Sequence, residues 1–450
     1  MSQTRPRSAQ PASGLATQYA PPLDLPLRFL ATAVGGLALL VVVYPWHLPL
    51  LLGSFLDPHL LTFVHVNTLG VIGATIFGAS YQLLPVVVQA PLAWVRLARF
   101  TWWLYLPGLA LFALGLAQGW RPATLAGGSL LYAAVALYVA IVWRTLWRAA
   151  RRDVVVWHVF LATASLALGA TLGVMLAHTG GGGLSGGLIL PALAAHATLM
   201  IGGWVTPMLT GVAYRLVGMF TLSEASLREN WSWLELLLTV GGAWTLAASL
   251  LLGLASSLGI LGATSLLAGL GLFAAQLGRL YQRRRRRTFD IHIPFALAAT
   301  FYALLAAALV LGGLATGRGP TDPLWLAAGW LAIAGWAETA IQGFLYKIGT
   351  FLTWLHRYAP LAGRRPVPKL EDLYSRRVAL AGWAGWTAGV ALGALATLSG
   401  AGWLAYAAAA ALSTGGLAFL LNAARVATHW RTPAVRPAPT PAPTSQSNTL

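Results

Sequence analysis

Apolar stretches of about 20 residues, broken by short polar, Gly- or Pro-containing segments, recur along the whole 450-residue chain. An α-helix rises 1.5 Å per residue, so a run of that length crosses the roughly 30 Å hydrocarbon core of a bilayer. The pattern predicts about twelve helices, at 28–46, 59–88, 98–118, 123–147, 154–177, 187–215, 233–255, 257–278, 291–314, 323–350, 377–398 and 401–425. The fold class expected is therefore an all-α polytopic membrane protein.

A short phrase within this pattern occurs three times: Gly78-Ala-Ser-Tyr81-Gln82-Leu83, Gly211-Val-Ala-Tyr214-Arg215-Leu216 and Gly343-Phe-Leu-Tyr346-Lys347-Ile348. The copies follow one another at a nearly constant interval, and a fixed period means one structural unit used repeatedly. The starts agree as well: Phe29-Leu-Ala-Thr-Ala33 matches Phe160-Leu-Ala-Thr-Ala164 and, more loosely, Phe295-Ala-Leu-Ala-Ala299. Twelve helices thus divide into three pseudo-equivalent groups of four, at 27–152, 153–288 and 289–431, with the phrase near the end of the second helix of each group. Segments 1–26 and 432–450, polar or rich in Pro, Ala and Thr, read as flexible tails. The N-terminal tail lacks the apolar core of a cleavable signal peptide.

Composition agrees. Hydrophobic residues make up 58% and charged residues 9% of the chain, against about 25% charged in soluble proteins. The net charge of +18 would suit nucleic acid, but the distribution of the 29 Lys and Arg argues for lipid instead. Only Arg121 and Arg318 fall in loops after odd-numbered helices. The rest lie in the tails or beside loops after even-numbered helices, including the run Arg283 to Arg287. By the positive-inside rule this predicts a multi-pass protein of the cytoplasmic (inner) membrane with both termini in the cytoplasm, and no nucleic-acid partner. There is no cysteine, which excludes thiolate copper centres, iron–sulfur clusters and covalent c-type heme.

Ionisable groups inside a bilayer are costly, and each is a candidate for function. His65 and His196 lie about two turns into helices two and six, at similar depth in the outer half of the membrane. Both are followed by glycines that let a helix or a flat porphyrin approach. Heme ligation and a packing hydrogen bond are both readings of His65; heme or copper ligation and packing are both readings of His196. Helix ten has no histidine at this height but carries Glu338 near mid-membrane, either protonated and hydrogen-bonded or part of a proton or cation path. The repeat tyrosines Tyr81 and Tyr214, about five turns further along the same helices, read as interfacial anchors at the opposite face. His47, His59 and His178 fall at the outer surface. His158, His292, His356 and His429 read as interfacial, Glu235 as the partner of a local arginine, Pro207 as a kink, and 180–187 as an external glycine-rich loop.

Twelve helices in three groups of four, with a histidine in the outer half of helices two and six, resemble subunit I of the heme-copper oxidase superfamily. The segment from His65 to Pro85, ending Gly-Ala-Ser-Tyr-Gln-Leu-Leu-Pro, is similar to helix two of the C-type oxidases and the nitric oxide reductases. The resemblance implies a low-spin heme on His65 and a copper or iron on His196. It also demands histidines on helices seven and ten, and this sequence has none there. The full catalytic set is absent, so an oxidoreductase of that type is not assembled. The implied protein is a divergent membrane heme protein with a b-type heme, copper as a second candidate, and a role in electron transfer or handling of O2 or NO. Its partners would be the lipid bilayer and a quinol or another respiratory subunit as electron donor. The alternatives are a cofactor-free proton or ion transporter and a non-catalytic assembly subunit of a respiratory complex.

Overall fold

The computed structural model describes residues 17–150, 152–179, 186–286 and 290–431. Regular structure among them is entirely helical. Twelve helices among the described residues are long and apolar enough to cross a membrane: α1 Asp24–Leu52, α2 Pro58–Val87, α3 Val95–Ala117, α4 Arg121–Trp147, α5 Val154–His178, α6 Ile189–Thr221, α7 Glu229–Leu252, α8 Ser256–Gln282, α9 His292–Ala315, α10 Pro323–Arg357, α11 Arg376–Ser399 and α12 Gly402–Arg431. The protein is an all-α multi-pass membrane protein. The first tail as read from sequence is too long, because α1 already starts at Asp24. Arg99 of α3 donates to that carboxylate through Nε and Nη2, at 2.9 and 2.8 Å, and so fixes the start of α1. Segments 1–16 and 432–450, most of the glycine-rich loop, Arg151 and Arg287 lie outside the described residues.

Several helices run further than their apolar stretches because polar side chains near their ends find partners. α12 continues to Arg431, where the Trp430 indole donates to Thr353 at 2.9 Å and His429 meets the Tyr358 hydroxyl at 2.6 Å. The same contacts hold α10 out to Arg357. α7 begins early because Gln276 of α8 clamps both backbone groups of Arg228.

The three groups share their internal construction. The third and fourth helices of each pack through glycines, where the small side chain lets two backbones meet. A Cβ on Gly127 of α4 would lie 2.3 Å from the Phe112 nitrogen of α3. Gly262 of α8 approaches the Leu246 nitrogen of α7 at 2.6 Å, and Gly415 of α12 the Trp386 nitrogen of α11 at 2.7 Å, measured in the same way. The glycine of the triplicated phrase plays a corresponding part. Gly78, Gly211 and Gly343 each receive a side chain from the first helix of their own group: Phe29, His158 and Phe295.

The second helices are interrupted at one height. α2, α6 and α10 each contain a π-helical stretch, at Val66–Gly73, Leu199–Val205 and Leu331–Glu338. A π turn displaces backbone groups from the i→i−4 ladder, and inside a membrane they need new partners. The carbonyls at one register of the repeat show how this is met. In α2 it is Leu69, which accepts from Tyr105 Oη of α3 at 2.7 Å. In α10 it is Ala334, which accepts from Trp386 Nε1 of α11 at 3.3 Å and Thr339 Oγ1 at 2.9 Å. The three helices meet at the centre, where they border an apolar cavity of about 70 Å³ together with Val155 and Val159 of α5.

Candidate functional site

His65 and His196 open onto one cavity of about 180 Å³, enclosed by α2, α3, α4, α5 and α6, with Ile333 as the contribution of α10. Its wall is apolar and partly aromatic, including Phe77, Tyr105, Phe112 and Trp204. The His65 ring meets Phe112 edge-on, with centroids 5.1 Å apart. The two imidazoles are near enough for a charge on one to be felt by the other.

In both rings Nδ1 lies against a backbone carbonyl, which only accepts, so Nδ1 carries the hydrogen and Nε2 is left with a free lone pair. For His65 the acceptor is Leu61 O of its own helix, at 2.7 Å. That bond alone means little, since His47, His178 and His356 each make the same one-turn contact. His196 differs. Its Nδ1 reaches across to Gly169 O of α5 at 2.7 Å, and its ring lies over Gly173, where a Cβ would come within 2.8 Å of Cε1. A neighbouring helix therefore aims this imidazole. The indole Nε1 of Trp204, also in the cavity wall, is buried without a partner among the described residues.

The two histidines share a height but not a position in the repeat. Aligning the groups on Tyr81 and Tyr214 sets His196 opposite Phe63, two positions before His65. A step of two turns a helix by about 200°. Phe63 faces α1, where its ring meets Tyr44 edge-on with centroids 5.8 Å apart. His196 likewise faces the first helix of its own group, α5. His65 turns the other way, toward α3. This slip lets two equivalent helices bring imidazoles to one cavity from different faces. In α10 the register of His65 is held by Trp330, which donates to Val390 O of α11 at 3.0 Å and lies against Gly393. An indole fills the corresponding space in the third group.

Other expectations are corrected. Among the described residues Glu235 meets a histidine and a tyrosine rather than an arginine: it is fully buried, with Oε2 2.8 Å from His158 Nε2 and accepting from Tyr214 at 3.2 Å. His158 is not interfacial but also fully buried, and its Nδ1 donates to Val154 O at 2.7 Å. Its Nε2 is thereby turned to the Glu235 carboxyl. His292 is buried as well, beside Asp290 at 3.7 Å. The repeat tyrosines are core residues rather than anchors: Tyr81 bonds Thr101, Tyr214 bonds Glu235, and Tyr346 accepts from Asn422. A polar cluster that sequence reasoning missed joins Asp290, Lys347 and His292 at the Tyr346 end, where Lys347 pairs directly with Asp290. The basic residue of the third phrase is its one visible sign in the chain.

Glu338 closes the π stretch of α10 and is completely enclosed, away from the histidine cavity wall. Among the described residues no three His, Asp or Glu side chains gather as a metal-binding group.

Fold and site together define a twelve-helix membrane protein in three four-helix groups, with two imidazoles lining one apolar cavity. No protein-family model matches the chain, and no curated protein matches it.

Proposed function

We propose that this is a membrane heme protein, divergent from the heme-copper oxidase outline, in which His65 and His196 would hold one b-type heme. The observation that carries the reading is the shared cavity: two imidazoles in one wall lining, each with Nδ1 tied to a carbonyl and Nε2 available. A metal-bound histidine typically donates its other ring nitrogen to such a carbonyl, which fixes the tautomer and orientation. The donor set suits heme better than copper, because the cavity wall offers no third imidazole or carboxylate, and a cavity of about 180 Å³ would have to open to admit a porphyrin. Heme held here would supply a one-electron centre or a site for a diatomic gas. The chain's own residues would position and shield it: Gly169 O and Gly173 aim His196, Phe112 backs His65, and the apolar wall excludes water. Electrons would come from quinol or a partner subunit. The basic loops argue for both termini in the cytoplasm and for a cavity in the outer half of the cytoplasmic membrane.

The test is a pyridine hemochrome assay with reduced-minus-oxidised spectra on purified protein expressed with added heme. About one heme per chain is expected, lost or five-coordinate in His65→Ala and His196→Ala and unchanged in His59→Ala, an exposed position. Protein that folds without heme, or spectra unaltered by His65→Ala, would overturn the assignment.

A further inference from the structure

At the centre of the bundle four side-chain atoms are left over. Neither oxygen of Glu338 completes a hydrogen bond among the described residues, and neither does Oδ1 or Nδ2 of Asn67, which faces it from the π stretch of α2. Both residues are buried, at 0 and 1% exposure. Side chains of four further helices meet this part of the bundle, at Glu338 itself or at neighbouring residues of α10. From α1, the unpartnered Tyr44 hydroxyl is within electrostatic reach of the carboxyl. From α9, Tyr302 is engaged with Thr387 O, and from α11, Trp386 with Ala334 O and Thr339. From α6, Thr206 accepts the indole hydrogen of Trp336. Among the described residues no lysine, arginine or histidine acts on Glu338.

An ionised carboxylate can only accept hydrogen bonds. It would take one N–H of Asn67 and leave Oδ1 unmatched beside a negative charge, in a site with no counter-ion to offset the loss of water. A protonated carboxyl is instead complementary to a carboxamide. Its O–H donates to Oδ1, Nδ2–H donates to its carbonyl oxygen, and one proton resolves all four atoms. We propose that Glu338 and Asn67 form a proton-binding site, a carboxyl–carboxamide pair joining α10 to α2, with the proton held at neutral pH. The proton comes from water and no bond other than its own is made or broken. This assignment does not depend on heme, since Asn67 and Glu338 face each other outside the histidine cavity wall.

Infrared difference spectroscopy of the purified protein at neutral pH tests it. The expected signal is the carbonyl stretch of a protonated carboxylic acid, shifted down in D2O, absent in Glu338→Gln and displaced in Asn67→Leu. Glu338→Gln keeps two complementary hydrogen bonds with Asn67 and should fold. If it does not, Asn67→Leu decides, because the band must persist and move to the position of an acid without an amide partner. A spectrum without such a band, or one unchanged by both substitutions, would overturn the proposal. So would a band that appears only when sodium is withdrawn, which would make the pair a cation site.

Discussion

Lys347 shows how a single residue can be misread from sequence. Beside Tyr346 at the end of an apolar run, it reads as a positive-inside marker. In the structure it is 7% exposed and paired with Asp290. Burial alone would push the Asp290 carboxyl up, but His292 and the Lys347 ammonium outweigh it and hold the group well below the usual carboxylate range. A carboxyl depressed in the folded state binds fewer protons than in the unfolded state, so its stabilisation is present above the unfolded value of about 3.9 and is lost as pH falls through the folded value. Thermal unfolding in detergent should therefore show an acid-side loss of stability that Asp290→Asn removes. The same substitution at neutral pH leaves Lys347 as a buried unpaired cation and should cost about 3–5 kcal/mol. An Asp290→Asn protein with wild-type stability and an unaltered acid limb would refute this. The slip between His65 and His196 was legible in the chain. That it turned the two side chains to different neighbours, α3 and α5, around one cavity was not, because the direction of a side chain follows from helix phase relative to a neighbour.

At the scale of elements, the sequence carried the number of helices faithfully, because a bilayer sets a length that apolar runs must meet. It misplaced ends such as those of α10 and α12, where Thr353, Tyr358, His429 and Trp430 satisfy one another and the helix need not stop at the first polar residue. Nor could it separate glycines that pack from glycines that do not. Gly127 and Gly241 both sit in apolar helices, yet a side chain at Gly127 meets the backbone of α3 and one at Gly241 meets nothing within 4 Å. Gly127→Val should cost about 1–3 kcal/mol or more, as in an overpacked core, and loosen the α3–α4 pair. Gly241→Ala should stay within about 1 kcal/mol of wild type. Melting curves of the two variants in the same detergent check this, and equal losses would mean that the hairpin glycines are not set by close backbone approach.

For the whole molecule, the threefold period gave four helices per group because each group must bury the same faces. The chemistry was less legible, since the groups differ in what occupies one height: an imidazole pair in the first two, and an indole in the third, whose carboxyl lies about two turns further along α10. Orientation in the membrane rests on the basic loops, and a chain without cysteine permits a clean test. Ser54→Cys and Thr321→Cys, in exposed links after α1 and α9, should react with a membrane-impermeant maleimide in intact cells. Arg364→Cys, exposed after α10, should react only once the membrane is opened. The reverse pattern would invert the protein and place the histidine cavity on the cytoplasmic side.

The π stretches separate what a second helix does at its two ends. A π turn uses more residues than an α turn, so each stretch resets the angular phase between the half that carries His65, Trp330 or His196 and the half that carries Gly-x-x-Tyr. Deleting one residue within 66–73 would rotate one half of α2 against the other by about 100°, and Gly78 could then face Phe29 only if His65 left its cavity. The stretch thus works as an adjustable joint. Gains and losses of single residues there can re-aim the upper half of one helix while the triplicated lower half keeps its fit, and copies of one scaffold can come to hold different side-chain chemistries at the same level.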